Sequence, residues 1–355
     1  MALFTRTFSV FARLWLMINV IWLMILMGWL TWSSSVNARS YDDIQASGSI
    51  RIAVYKDFPP YSFINTQGEA SGIDVALAQA LADGLGVALD LRWMTPDETV
   101  EDDMRNYLWK GMNLTSEDGQ RVKADVMLRV PYDREFALQR DDLGLPAHEL
   151  VHMFAPYQRE RWLLAYDMAK LERPQTAARF MYHPIGVEVD TVPQFFLTTA
   201  YGGRFRQNTR TYASINDAFD ALNLGDVAMV MGMSSQLEWL NSPSHQGTSQ
   251  GNQTSQGSQH TEPVLTELAF PLLGRADWEL GMAVHNNYRQ LAYALEDIVL
   301  AHIRSGDFSR WATQYGVDFK VPMRFVDIAP STASARDNNE KGKNVEPVAM
   351  LAQSP

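Results

Sequence analysis

Apolar and polar positions along this chain fall into blocks that switch between a strand period and a helix period. Ile50 to Tyr55 is a β-branched run that reads as a buried strand. From Ile73 the apolar residues Ile73, Leu77, Ala80, Leu81 and Leu85 recur at helical spacing, with Asp74 in the first turn, where the helix dipole favours a carboxylate. Ala88 to Trp93 alternates as a second strand. Thr95-Pro96-Asp97-Glu98 reads as a capping box opening a helix from Pro96 to Lys110. A polar stretch, Gly111 to Lys123, is longer than a compact connection needs, and Ala124 to Val130 is the next buried strand.

The second half repeats the alternation. Ile185 to Val189 is a strand, and Thr191-Val192-Pro193-Gln194 caps a helix that ends near Tyr201. Thr209 to Tyr212 is a short strand; Ile215, Ala218, Phe219 and Leu222 mark an amphipathic helix behind Ser214, and Val227 to Met233 is a strand. Leu268 to Leu272 and Trp278 to Val284 read as strands that return to the first part of the chain. A helix from Asn287 to Arg304 and a short one from Phe308 to Tyr315 follow, separated by Ser305-Gly306-Asp307.

The two ends and one internal tract stand outside this pattern. Residues 1–38 contain no acid, carry Arg6 and Arg13, run apolar from Leu14 to Trp32 and end Val36-Asn37-Ala38, the form of a signal peptide cleaved after Ala38. The run is also long enough for an uncleaved anchor; either way the body of the protein lies outside the cytoplasm, in the periplasm. Residues 242–261 are a low-complexity insert of small and amide residues, a composition that cannot bury enough surface to fold, and residues 329–355 read as a disordered polar tail.

Charge and cysteine content narrow the chemistry. The formal charge of -11 becomes -13 once Arg6 and Arg13 leave with the signal, which argues against nucleic acid and anionic membrane surfaces as partners. The absence of cysteine excludes disulfides, thiolate chemistry and a lipid-modified cysteine anchor. His245 and His260 sit in the insert, and the other histidines form no ligand spacing, so no metal or cofactor is expected.

The candidate chemistry lies in the loop after the first strand, DFPPYSF. Phe58 and Tyr61 flank two prolines that would hold the backbone extended and present both rings, with Asp57 beside them. With GIDVALAQAL after it, this loop resembles the start of the family 3 periplasmic solute-binding proteins, receptors of amino-acid ABC transporters. Leu150 to Tyr157, followed by Arg161 to Tyr166, resembles the family's segment and strand that cross into the second lobe, with Tyr157 near the hinge; SGDFSRWATQYGV resembles the ending of the same family, and the likeness runs from Ser49 to Val321. It implies a two-lobed type II periplasmic binding protein fold of α/β class, with the ligand cleft between lobes made of residues 41–158 with 268–328 and of residues 159–267. It also implies a monomer that closes on a solute by a hinge and serves an ABC transporter permease.

Several site positions depart from the family pattern. Where the family has small residues and then a threonine and an arginine that grips a carboxylate, this chain has Arg129, Pro131, Tyr132 and Arg134. Arg129 and Arg134 are therefore the candidate anion anchors, with Arg129 favoured by its place near the strand's C-terminal end. Thr191 matches a threonine at which helix N–H groups receive the ligand's carboxylate, and its role as a plain N-cap is the competing reading. Met233 stands where the family has an aspartate for the ligand's ammonium group. A thioether cannot pair a cation, so a small polar or anionic solute is expected rather than a zwitterionic amino acid. DVMLRVPYD and Met233 also resemble the branch of methanol-oxidation J proteins. That likeness implies an alternative role, an accessory of a PQQ-dependent quinoprotein dehydrogenase. A cyclohexadienyl-dehydratase-like enzyme using Asp57 or Glu188 is the other alternative, which no spacing of acids supports.

Overall fold

The computed structural model describes residues 39–111, 122–243, 245 and 262–330. The expected signal peptide, most of the polar 111–123 stretch, most of the low-complexity insert and the tail beyond residue 330 lie outside the described residues. Among the described residues, no helix is long and apolar enough to cross a membrane.

Ser40 and Asp43 cap each other's backbone N–H groups to start the helix Tyr41–Ser47. Strand β1 (Ser49–Tyr55) follows, then the hairpin β2 (Phe63–Ile64) and β3 (Ala70–Ser71), the helix Ile73–Leu85 and β4 (Ala88–Met94). After β5 (Val126–Pro131) comes the 16-residue β6 (Val151–Tyr166). The remaining strands are β7 (Ile185–Glu188), β8 (Thr209–Tyr212), β9 (Met229–Met233), β10 (Val264–Thr266) and β11 (Asp277–His285). Their order is β4-β1-β5-β11-β6-β9-β7-β8, with β10 also beside β6. β1 runs parallel to β4 and β5, and β7 runs parallel to β8 and β9. This is a mixed α/β fold with helices covering a central sheet.

Alternation along the strands feeds cores on both faces. Ile50, Ile52 and Val54 of β1 pack with Leu77, Leu81, Leu291, Leu295 and Val299, whereas Ala53 packs with Met104, Tyr107 and Leu108 on the other side. At the far end, Leu164, Ile185, Val187, Met229 and Met231 meet Phe180, Phe196 and Leu197, while Leu163, Ala165 and Val230 meet Ile215, Phe219 and Leu237. β6 joins the two ends: its residues 151–161 pair with β11 and its residues 162–166 pair with β9.

Three expectations need correction. The helix placed at Pro96–Lys110 is shorter, Val100–Met104 capped by Thr99 and continued by a π-helical turn, Arg105–Trp109. Asp97 is held outside it, since its N–H donates to Asp103 Oδ1 and its own carboxylate receives Asn106. Leu268 to Leu272 forms no strand; β10 lies earlier, and Phe270 is apolar because it fills the core against Phe180 and Phe196. The two segments at 150–157 and 161–166 are one strand, for a reason that bears on the site.

Candidate functional site

Two irregularities in the sheet face each other across Gly281. Between β5 and β11 the register passes from Val130–Gly281 to Leu128–Met282, so Arg129 is an extra, bulged residue, and its backbone is left-handed at φ 60°. Between β6 and β11 the register passes from Gln158–Leu280 to Phe154–Met282, so three residues of β6 face one of β11, with Ala155 at φ 44°. Gly281 is required there: a Cβ would lie 2.7 Å from the Phe154 carbonyl oxygen. Bulges re-aim side chains. Here they bring Arg129 from one strand together with Gln158 from another.

The DFPPYSF loop supplies the next wall. The prolines do not hold it extended; the Pro59–Pro60 bond is cis, and Tyr61 N–H donates to the Phe58 carbonyl in a tight turn. The turn stacks the Phe58 and Tyr61 rings at 5.8 Å. Gly72, at φ 125°, passes so close to Tyr61 that a Cβ would sit 2.1 Å from its carbonyl oxygen, and that carbonyl accepts the Asp74 N–H. Asp74 is thereby held in the helix's first turn, fully buried.

These elements meet in one buried polar network. The Arg129 guanidinium, in a residue only 6% exposed, lies 3.6 Å from the Tyr61 ring centroid and 5.2 Å from that of Phe58. It donates to Gln158 Oε1 (3.1 Å) and lies 3.8 Å from Asp74 Oδ2. Asp74 Oδ1 accepts from the Tyr157 hydroxyl (3.0 Å), while its Oδ2 has no hydrogen-bond partner. Gln158 Nε2 donates to the Tyr61 hydroxyl, which donates to Glu160 Oε2 (3.0 Å). The Ser234 and Ser235 hydroxyls, at the start of the helix Ser234–Leu240 after β9, also donate to Glu160, as does the Arg161 N–H.

Burial sets the electrostatics. It pushes the Asp74 carboxyl up, against the pull of Arg129 and Tyr157. At Arg129, burial opposes the charge, but Tyr61, Asp74, Tyr157 and Glu160 outweigh it and hold the guanidinium above its usual range. Cavities of about 390 Å³ (by Tyr166, Arg173 and Thr266) and about 270 Å³ (by Glu101, Trp109 and His148) are lined by none of these residues. Among the described residues, no group of three or more His, Asp or Glu is placed to hold a metal ion.

Of the residues singled out in the sequence, the structure brings Phe58, Tyr61 and Arg129 together. Asp57 is exposed beside Lys56. Arg134 is exposed in the first turn of a short helix, and Tyr132 lies under Arg324 instead. Thr191 caps the helix Val192–Gly203, accepting from the Gln194 N–H and donating to the Glu188 carbonyl. Met233 pairs along the backbone with Trp162, and the two serines after it reach Glu160. Glu188 is half-buried at the end of β7, its carboxyl pushed up by burial. Asp74, Tyr157, Gln158, Glu160, Ser234 and Ser235 carry the network, and sequence reasoning had assigned none of them to the site.

The model of the bacterial extracellular solute-binding proteins, family 3, matches residues 50–316. The chain belongs to this family. Its fold is also similar to that of an ancestral cationic amino acid solute-binding protein, AncCDT-1, with a TM-score of 0.56, 15% identity, and coverage of 78% of this chain and 99% of that one. A second similar structure is the amino acid ABC transporter substrate-binding protein AbpA from Streptococcus pneumoniae bound to L-arginine, at TM-score 0.51, 15% identity, and 78% and 99% coverage. No curated protein sequence matches the chain. The family and the α/β fold agree with type II periplasmic binding proteins.

Proposed function

We propose that this family 3 protein captures a small solute carrying a carboxylate or another strongly accepting group, holding it between lobes made of residues 41–158 with 268–328 and of residues 159–267. Arg129 is the anchor in this reading, and the protein hands the solute to an ABC transporter permease from the periplasm. One observation carries the proposal: Arg129 is a charged, buried guanidinium that spends a single N–H on a hydrogen bond, to Gln158. A guanidinium offers a planar fork of donors suited to a carboxylate, so the unused donors are binding capacity. Because the network is closed over, a solute enters only when the lobes part.

Asp74 changes the expected solute range. Met233 supplies no counter-charge for an ammonium group, but the unpartnered Asp74 Oδ2 lies 3.8 Å from Arg129 and offers one. Organic acids and α-amino acids are therefore both within the class. A thermal-shift screen across organic acids, amino acids and alcohols tests this. Stabilisation by carboxylates and not by the matching alcohols is the expected outcome. A protein stabilised by no small molecule at all would favour the accessory role with a periplasmic dehydrogenase instead.

A further inference from the structure

The groups around the Arg129 head are all of the kind that receive a cation. They are the Tyr61 ring at 3.6 Å, the Phe58 ring at 5.2 Å, Gln158 Oε1 at 3.1 Å and Asp74 Oδ2 at 3.8 Å. They come from the DFPPYSF loop, the first turn of the helix Ile73–Leu85 and the crossover strand β6, so contacts outside residue 129 fix each of them. Phe58 is stacked on Tyr61, Tyr61 is held by Gln158 and Glu160, Asp74 by Tyr157, and Gln158 by Tyr61. Asp74 Oδ2 is buried with no hydrogen-bond partner and faces the guanidinium through charge alone. The arm that fills this cage leaves a bulge at φ 60°, a conformation disfavoured for a long side chain and maintained where the surroundings fix it.

We propose that Arg129 is a built-in occupant of a guanidinium-receiving cage formed by Phe58, Tyr61, Asp74 and Gln158, and that this one side chain turns a cation site into an anion site. Its inner face occupies the cage; its outward donors are what a carboxylate meets. Without the arm, the cage takes a free guanidinium or a small alkylguanidinium, whose planar cation stacks on the tyrosine and pairs with the carboxylate. The anion half of this inference rests on the solute reading above; the cage itself stands without it.

Arg129→Ala tests the cage with methylguanidinium as the probe, against methylammonium and sodium chloride at equal ionic strength. At roughly 10 mM probe, mass action on a millimolar site gives a readable rise in melting temperature. The rise is expected for methylguanidinium on the variant and not on the wild type. Equal responses to methylguanidinium and sodium chloride, or equal responses in variant and wild type, would overturn it. If Arg129→Ala does not fold unaided, its refolding yield should recover with methylguanidinium and not with methylammonium, and failure to recover counts against the cage. Arg129→Met fills the space without a charge, so a variant as stable as the wild type would show that volume alone matters. Carboxylate binding by the wild type is read separately. A protein that binds carboxylates while its variant ignores methylguanidinium refutes the cage alone, and the converse refutes the solute reading alone.

Discussion

The two ends of the buried network differ in how much bonding capacity they leave. At one end, both oxygens of Glu160 are taken up by hydroxyls of Tyr61, Ser234 and Ser235 and by the Arg161 N–H. At the other, Arg129 and Asp74 are both buried yet lie 3.8 Å apart, with Asp74 Oδ2 accepting no hydrogen bond and most of the guanidinium's donors unspent. Saturated buried groups hold a structure together, because removing one strands its partners. Unsaturated ones are poised to meet something else. Glu160 is thus a tie between β6, the loop carrying Tyr61 and the helix after β9, while the unspent donors of Arg129 are what the proposed function gives to a ligand.

The largest effect expected from this contrast is on stability. Glu160→Ala strands three hydroxyls and should cost about 3 to 5 kcal/mol in denaturant unfolding, from about 1 to 3 kcal/mol for each buried group left unsatisfied. A loss within the ordinary surface range would mean that Glu160 ties nothing. Arg129→Ala should cost less, because Asp74, with its carboxyl already pushed up, can shed the unpaired charge by taking a proton.

Glu238 sharpens the contrast through pH. Burial pushes its carboxyl from 4.5 up to about 7, opposed by its bond from the Asp318 N–H. The folded state therefore holds a proton that the unfolded chain has released between pH 4.5 and 7, and the sign is fixed: stability falls as pH rises through that window. Glu238→Gln should flatten the fall and gain about 1 to 3 kcal/mol at pH 8, from about 1.4 kcal/mol per pKa unit. Unfolding curves at pH 5, 7 and 8 (roughly the span of the titration) check it. A parallel fall in wild type and variant would assign the pH dependence elsewhere.

A smaller effect is expected at Thr191. As a helix cap, Thr191→Ala should cost about 1 kcal/mol of stability and leave solute affinity unchanged. Lost affinity at unchanged stability would instead extend the site to the start of the helix Val192–Gly203.

The strand and helix blocks of the family stretch were legible where their apolar period is undisturbed, and misplaced where it is not, at Pro96–Lys110 and Leu268–Leu272. β1 and the helix from Ile73 lie where the periodicity puts them. The network was not legible, and β6 shows why. Gln158-Arg159-Glu160-Arg161 interrupts an apolar pattern with four polar residues, which hides the continuity of the strand. In the structure the chain stays extended: Gln158 and Glu160 turn inward, while Arg159 reaches the exposed Asp277 and Arg161 reaches the exposed Glu267 and the half-buried Glu238. Arg129 was legible as an anchor from its residue type and place, but no periodicity marks the bulge that aims it. Asp74 read as a helix-dipole partner, since nothing local tells that Gly72 lets Tyr61 close over it.

The measurement that bears most directly on this account is calorimetry of a carboxylate solute from the thermal-shift screen on the wild type and on Arg129→Ala. Binding by the wild type and a loss of about 1.5 to 3 kcal/mol of affinity in the variant, the range for a charge-assisted hydrogen bond, is the predicted result. Equal affinity in both proteins would contradict it and move the anchor away from Arg129.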